Sequence, residues 1–298
     1  MIYIDYYNEI KHELLNNEIT KKVKDYSKNR SDLETYYNVG KLLSKAGKHY
    51  GENIIKEYSL KLSSDLGKQY SETSLKYMRK FYRFSKSHSV SDKLTYTHYK
   101  TLFSIKDCNK IEYYIATAIK YNLSVRELSK KIRTKEYERL PEQTKNNLIS
   151  SKQIAIVDFI KNPIFIRNRN NTEIISEKIL QKIIIEDITS FLKELGNGFT
   201  FIDNEYKIKI GDRYNYIDLL LFNIEYNCYV VVELKVTELK KDHIGQIEIY
   251  MNYIDKNIKK IYHDKTIGII ICKRDNKFIM EYCSDERIIA RKYELKEL

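Results

Sequence analysis

Two carboxylates and an amine occupy positions where an apolar strand would ordinarily exclude charge. In YIDLLLF (216–222), Asp218 sits among Ile217, Leu219, Leu220 and Leu221, and in YVVVELKV (229–236) Glu233 and Lys235 follow three valines. Burying a lone carboxylate is strongly unfavourable unless a partner compensates it. Residues i and i+2 of a strand share a face, so Glu233 and Lys235 project side by side. If the two strands are neighbours, Asp218 joins them. Two carboxylates about 4 Å apart repel by roughly 4 kcal/mol at an effective dielectric near 20, more than one lysine offsets. A hard divalent cation such as Mg2+ or Mn2+ is the natural counter-charge. Such an ion polarises a phosphoryl oxygen and acidifies its water, which is the chemistry of phosphodiester hydrolysis. Lys235 would then orient the attacking water or stabilise charge on the phosphate. Taken alone, these residues read better as a salt-bridge ladder on an edge strand, and the surrounding elements must decide.

Those elements divide the chain. Three-to-four-residue apolar spacing predicts helices near 5–28, 32–46, 51–65, 71–85, 97–105, 108–121 and 125–138, with a turn around Gly67. Ser124 followed by Glu127 reads as a capping box, and Pro141 punctuates the end of the helical region. A polar, Asn-rich stretch around Asn162–Pro163 and Asn168–Asn171 reads as a linker. Beyond it a long helix is expected over 174–195, with Leu180, Ile184, Ile188, Phe191 and Leu195 on one face and Gly196–Asn197–Gly198 as its stop. Strands follow at 199–210, 216–222 and 229–236, joined closely enough for an antiparallel meander. Next come a helix near 242–258, a buried strand at 266–272, a short element and a last strand near 288–295. The expected architecture is an all-α domain with helix-turn-helix character (1–148), a linker (149–172) and an α/β domain with a mixed central sheet ordered α-βββ-α-β (173–298).

Composition narrows the partners. With 42% hydrophobic and 32% charged residues the chain is a globular protein rather than a disordered one. It lacks an apolar run of about 18 residues, and MIYIDYYNEI has neither the basic nor the apolar region of a secretory leader, so a cytoplasmic setting without membrane is expected. The four cysteines are far apart and read as reduced structural thiols. No GxxxxGK(S/T) motif is present, and the six histidines show no zinc-like spacing and read as surface or packing residues. The 27 tyrosines, with no tryptophan, accompany an abundance of Lys, Asn and Ile that looks like codon bias, so they carry little functional weight. The formal charge of +12 is uneven, since residues 1–150 hold 29 Lys and Arg against 18 Asp and Glu, while 151–298 hold 24 against 23. A basic half suggests a polyanion. Within it, Lys76, Arg79, Lys80 and Arg83 fall at i, i+3, i+4 and i+7, opposite Leu75, Met78 and Tyr82. That face suits a helix docked on phosphates, and a merely solvated charged face is the alternative.

The stretch YIDLLLF, six residues, YVVVELKV, then GQIEIYMNYI (245–254) and IGIIICK (267–273), resembles the YhcG-like branch of the PD-(D/E)xK nuclease superfamily. The similarity extends over the first half through YSLKLSSDLGKQYSETSLKYMRKFY (58–82) and LSVREL (123–128). The resemblance implies a restriction-endonuclease-like α/β domain behind a helical DNA-binding domain. It implies Mg2+- or Mn2+-dependent hydrolysis of DNA, with branched or junction DNA within its range. A homodimer would serve such an enzyme, since one site cuts one strand. It makes Asp218 and Glu233 metal-binding carboxylates, adds the Leu234 carbonyl as a ligand, and makes Lys235 the motif lysine. Gln246 matches the family's glutamine beside the active site, with Tyr250 one turn along; by spacing alone both read as ordinary helix surface. One departure stands out. Gln181 occupies the place of the family's acidic residue on the helix before the sheet, and Glu177, one turn earlier, or Glu186, five residues later, would take it only if the helix register shifts. A nucleic-acid-binding protein with a degenerate, inactive nuclease fold is the rival that Gln181 favours, and a factor acting on RNA is a third reading.

Overall fold

The computed structural model of the protein describes residues 6–22, 28–51, 53–66, 70–149, 156–169, 173–174 and 176–296. The chain forms two compact units, Met1–Tyr137 and Glu138–Leu298.

In the first unit the described residues form helices α1 (Tyr6–Lys22), α2 (Lys28–Tyr50), α3 (Ile54–Leu66), α4 (Glu72–Phe84), α5 (Tyr96–Leu102), α6 (Cys108–Lys120) and α7 (Val125–Arg133). The expected turn at Gly67 lies outside the described residues. Helix starts follow from side chains that accept otherwise unpaired backbone N–H groups. Ser71 Oγ takes the Ser74 N–H at 3.1 Å, and Ser124 and Glu127 form the expected reciprocal box. Ile10, Leu14, Val39, Leu43, Ile55, Leu62, Leu75 and Met78 form one core across α1–α4. Gly40 lets α2 and α4 touch, because a Cβ there would lie 2.2 Å from the Met78 carbonyl oxygen. His98 is a packing histidine, as expected, with Nδ1 taking the Thr95 N–H at 3.1 Å and Nε2 2.9 Å from the Leu123 carbonyl.

The second unit contains α8 (Glu142–Ile149), β1 (Ile164–Arg167), α9 (Glu177–Glu186), α10 (Ile188–Leu195), β2 (Phe199–Ile210), β3 (Arg213–Asn223), β4 (Cys228–Glu238), α11 (Lys241–Asn257), β5 (Asp264–Arg274), α12 (Lys277–Glu281) and β6 (Ile288–Lys296). The six strands lie in the order β1-β6-β5-β4-β3-β2. β2, β3 and β4 are the antiparallel meander, and β4, β5, β6 and β1 run parallel. Helices cover both faces. Leu180, Ile184, Phe191 and Leu195 of α9 and α10 pack on Leu219, Val230, Val232 and Ile269, while Ile247, Met251 and Ile254 of α11 pack on Leu220, Val231 and Ile270. A Cβ at Gly268 of β5 would meet Met251 Sδ at 2.6 Å and Ile247 Cδ1 at 2.9 Å, so its absence lets α11 sit close to the sheet.

Two details correct the sequence reading. The segment read as a linker includes β1, whose Ile164 and Ile166 are buried and which pairs with β6. Four residues amid polar neighbours give too short an alternation to stand out. The single helix expected over 174–195 is two, parted at Asp187 (φ −133°, ψ 49°). Asp187 binds Arg169 at 2.9 Å and Arg167 at 3.4 Å, and its carbonyl accepts from Ser190 and Phe191 to start α10. Among the described residues no helix is long and apolar enough to cross a membrane, and all four cysteines are free.

Candidate active site

A fork in the sheet builds the site. β3 and β4 pair from Asn223–Cys228 to Leu219–Val232. Beyond that pair β3 continues with β2, as far as Arg213–Ile210, while β4 continues with β5 past Lys235–Cys272. The strands therefore part at Asp218 and Glu233, the next residues in register. Side chains complete the backbone bonding there. The Leu234 N–H donates to Asp218 Oδ2 at 2.7 Å, and the Asp218 carbonyl accepts from Gln181 Nε2 at 2.8 Å. Alternation along β4 directs Glu233 and Lys235, like Val231, toward α11.

Glu233 is 2% exposed and Lys235 7%. Lys235 Nζ donates to Glu233 Oε1 at 2.8 Å and reaches Glu177 Oε2 at 3.5 Å. Glu233 Oε2 is buried and has no hydrogen-bond partner. Burial, joined by the charge of Asp218, pushes the Glu233 carboxyl up to about 7 against the pull of Lys235. Burial also raises Asp218, which the Leu234 N–H and Lys235 oppose. Burial works against the Lys235 ammonium, yet Glu233, Glu177 and Asp218 outweigh it and hold the proton more firmly than usual. The site is thus a carboxylate pair with excess negative charge and one firmly protonated amine.

Helix α11 supplies the adjoining wall. Gln246 Nε2 donates to Tyr250 OH at 3.0 Å, and Tyr250 is 6% exposed. Burial raises the Tyr250 phenol, opposed by the Gln246 bond and reinforced by the charges of Glu233 and Asp218. One turn before Gln246, His243 Nδ1 accepts the Lys240 N–H at 3.1 Å, and burial with the charge of Lys235 lowers its pKa. His243 is one of the six histidines expected as surface or packing residues; its i, i+3, i+7 relation to Gln246 and Tyr250 was the available signal for its place beside the site.

The position of Gln181 is settled differently from either register shift. It stays on α9 facing the fork, bonded to backbone rather than bearing charge, while Glu177 reaches Lys235. Glu186 is exposed. Gln181→Glu would set a carboxylate against the Asp218 carbonyl and near two other acids, where only its protonated form can donate. Its folded pKa would be raised, so the variant should match the parent at low pH and lose stability as pH rises. A deficit of about 1–3 kcal/mol is expected at about pH 8 and little at about pH 4. Thermal melts at both values check this, and an equal deficit at both would show that the amide bond is not what matters.

The donor set suits a hard cation. Among the described residues no group of three or more His, Cys, Asp or Glu is gathered to hold an ion. What the fork offers is two carboxylates, one of them with an orphaned oxygen, a sparse set that fits a hard divalent cation keeping most of its waters.

In the first unit, Lys76, Arg79, Lys80 and Arg83 line one concave surface together with Phe84, His88, Phe103, Ile105, Lys106 and Ile111. Lys76 also pairs with Glu72 at 2.5 Å, and Lys80 lies 5.7 Å from the Phe103 ring centre. The four expected cations are therefore neighbours.

A forked mixed sheet covered by helices, with Asp218, Glu233 and Lys235 at the fork, defines a restriction-endonuclease-like nuclease domain. Residues 157–297 match the YhcG PDDEXK nuclease domain, and residues 10–139 match the DUF1016 N-terminal domain. The chain therefore pairs a DUF1016 N-terminal domain with a YhcG PDDEXK nuclease domain. It is 24% identical over 283 residues to YhcG of Escherichia coli (strain K12), covering 80% of this chain and 76% of that one. Among solved structures, a repair endonuclease from Pyrococcus abyssi is 19% identical, over 43% of this chain and 49% of that chain, with a TM-score of 0.29. An EndoMS–dsDNA2 complex is 20% identical, over 44% and 49%, also at 0.29. The match spans about half the length of each solved chain.

Proposed function

We propose that the protein is a divalent-metal-dependent deoxyribonuclease that takes Mg2+ or Mn2+ at the fork between β3 and β4. The observation that carries this reading is the buried Glu233, whose Oε2 lacks a partner beside a second carboxylate. Leaving such an atom unsatisfied is costly, and a cation would satisfy it. Asp218, Glu233 and the Leu234 carbonyl would hold the ion, which supplies charge neutralisation at the phosphate and a more acidic water. Lys235, kept protonated by its carboxylate neighbours, stabilises charge on the phosphate or orients the attacking water through Nζ. Gln246 and Tyr250 bring polar atoms to the α11 side and position the phosphate. Glu177 holds Lys235 from the other flank. The cationic surface of α4 binds DNA phosphates, giving the first unit its helix-turn-helix-like role, and branched DNA and a homodimer complete the proposal.

Linear, nicked and four-way DNA, with an RNA in parallel, test this with Mg2+, Mn2+ or chelator. Product is expected from DNA only when metal is present, and Asp218→Ala and Lys235→Ala should remove it. Cleavage by both variants at the parent's rate would overturn the mechanism. The presence of Gln181 where an acid is usual favours a second reading, a binding protein with a degenerate site. That reading requires salt-sensitive retention of DNA without product.

A further inference from the structure

Past the fork, β2 and β3 continue as a two-stranded arm from Tyr206–Ile217 to Ile210–Arg213, turned by Gly211 (φ +60°) and Asp212. Its two faces differ sharply. Ile208 and Ile217 are buried on one side. The other bears Lys207 opposite Tyr216 and Lys209 opposite Tyr214. Tyr214 is 56% exposed and Tyr216 52%, and Lys207 Nζ lies 3.8 Å from the Tyr214 ring centre, with Lys209 at 6.0 Å. Aromatic residues suit strands, so one exposed ring would need no explanation. Two in succession on one face, each opposite a lysine, make an alternating aromatic and cationic surface. It lies on the same strand as Asp218. At about 3.4 Å per residue, Tyr216 and Tyr214 are about 7 and 14 Å along β3 from that carboxylate, a nucleotide or a few from the bond to be cut.

We propose that Tyr214 and Tyr216, with Lys207 and Lys209, form a stacking platform for unpaired bases of the DNA strand that flanks the scissile phosphate. This rests on the nuclease reading of the fork. Duplex bases are stacked on one another and offer a protein only groove edges and backbone, whereas an unpaired base exposes a ring face to an aromatic side chain. Lysines interleaved with the rings supply the counter-charge for the phosphates between such bases. The platform therefore selects a substrate with a single-stranded arm or a frayed end beside the cut, and it gives two tyrosines a role that composition alone conceals.

Binding is read in chelator, where cleavage is silent, with fluorescein-labelled single-stranded, forked and blunt duplex oligonucleotides. The double variant Tyr214→Ser/Tyr216→Ser should lose about tenfold or more in affinity for the single strand and the fork. It should keep parental affinity for the blunt duplex, and the matching Phe pair should retain binding to all three. A 2-aminopurine in the unpaired arm should be quenched by the parent and not by the double Ser variant. Undiminished binding by the Ser variant, or an equal loss on blunt duplex, would overturn the platform. Loss confined to unpaired DNA supports it whether or not the parent cleaves. Metal-supported cleavage by the parent without such a loss overturns the platform alone and leaves the nuclease reading standing.

Discussion

At subsaturating metal, cleavage by the parent should rise about tenfold per pH unit up to about pH 7 and then level off, and Glu233→Gln should hold the rate about a thousandfold lower throughout. Glu233 must be ionised to accept a cation, and burial beside Asp218 keeps its proton until about pH 7. Below that value the fraction of competent sites falls by one power of ten per unit. Gln keeps the size of the side chain but removes the charge, so it isolates the electrostatic contribution. The same shift has a stability consequence of opposite sense. The folded chain retains a proton that the unfolded chain has already released, so stability falls as pH rises from about 4.5, the ordinary glutamate value, to about 7 and stays lowered above it. The full effect is at most about 3.5 kcal/mol, since each unit is worth about 1.4 kcal/mol. Glu233→Gln should flatten that decline, leaving the smaller part due to Asp218, whose carboxyl is also raised. Melts from pH 4.5 to 8 in chelator, paired with rates over the same range, check both signs. A rate that does not depend on pH would sink this assignment.

Removing the α4 cations gives the second large effect. Replacing Lys76, Arg79, Lys80 and Arg83 together by Ala should weaken DNA binding at moderate salt by about a hundredfold or more and flatten the slope of log affinity against log salt by about three to four. Each phosphate neutralised releases about 0.9 of a counterion from duplex DNA, so the change in slope counts contacts directly. The four side chains line one surface, and Glu72, which pairs with Lys76, lowers the expected change. Fluorescence anisotropy over a salt series measures it. An unchanged slope would mean that this face is merely solvated and that DNA binds elsewhere.

Much of this protein was legible without coordinates because its signals are local. The apolar runs of YIDLLLF and YVVVELKV marked strands, the i+2 relation of Glu233 and Lys235 marked a shared face, and Ser124 with Glu127 marked a helix start. Spacing on α4 likewise placed four cations together. Other features depend on residues distant in the chain. Whether Gln181 substitutes for an acid could not be read from its neighbours, since its partner is the carbonyl of Asp218, 37 residues away. Glu177 meets Lys235 across 58 residues. The break at Asp187 and the strand at Ile164–Arg167 also escaped notice, one held by arginines upstream and the other by a β6 near the end of the chain.

The order of letters alone therefore determined which residues carry charge into the core, how each helix and strand is patterned, and where the basic surface lies, because propensity, alternation and capping act over a few residues. The tertiary structure alone decided that β3 and β4 separate at Asp218 and Glu233, that a glutamine braces the backbone there, and that one glutamate oxygen is left without a partner. Those outcomes arise from register between strands and from burial. Both are set by the packing of distant segments, and no short stretch of sequence contains them.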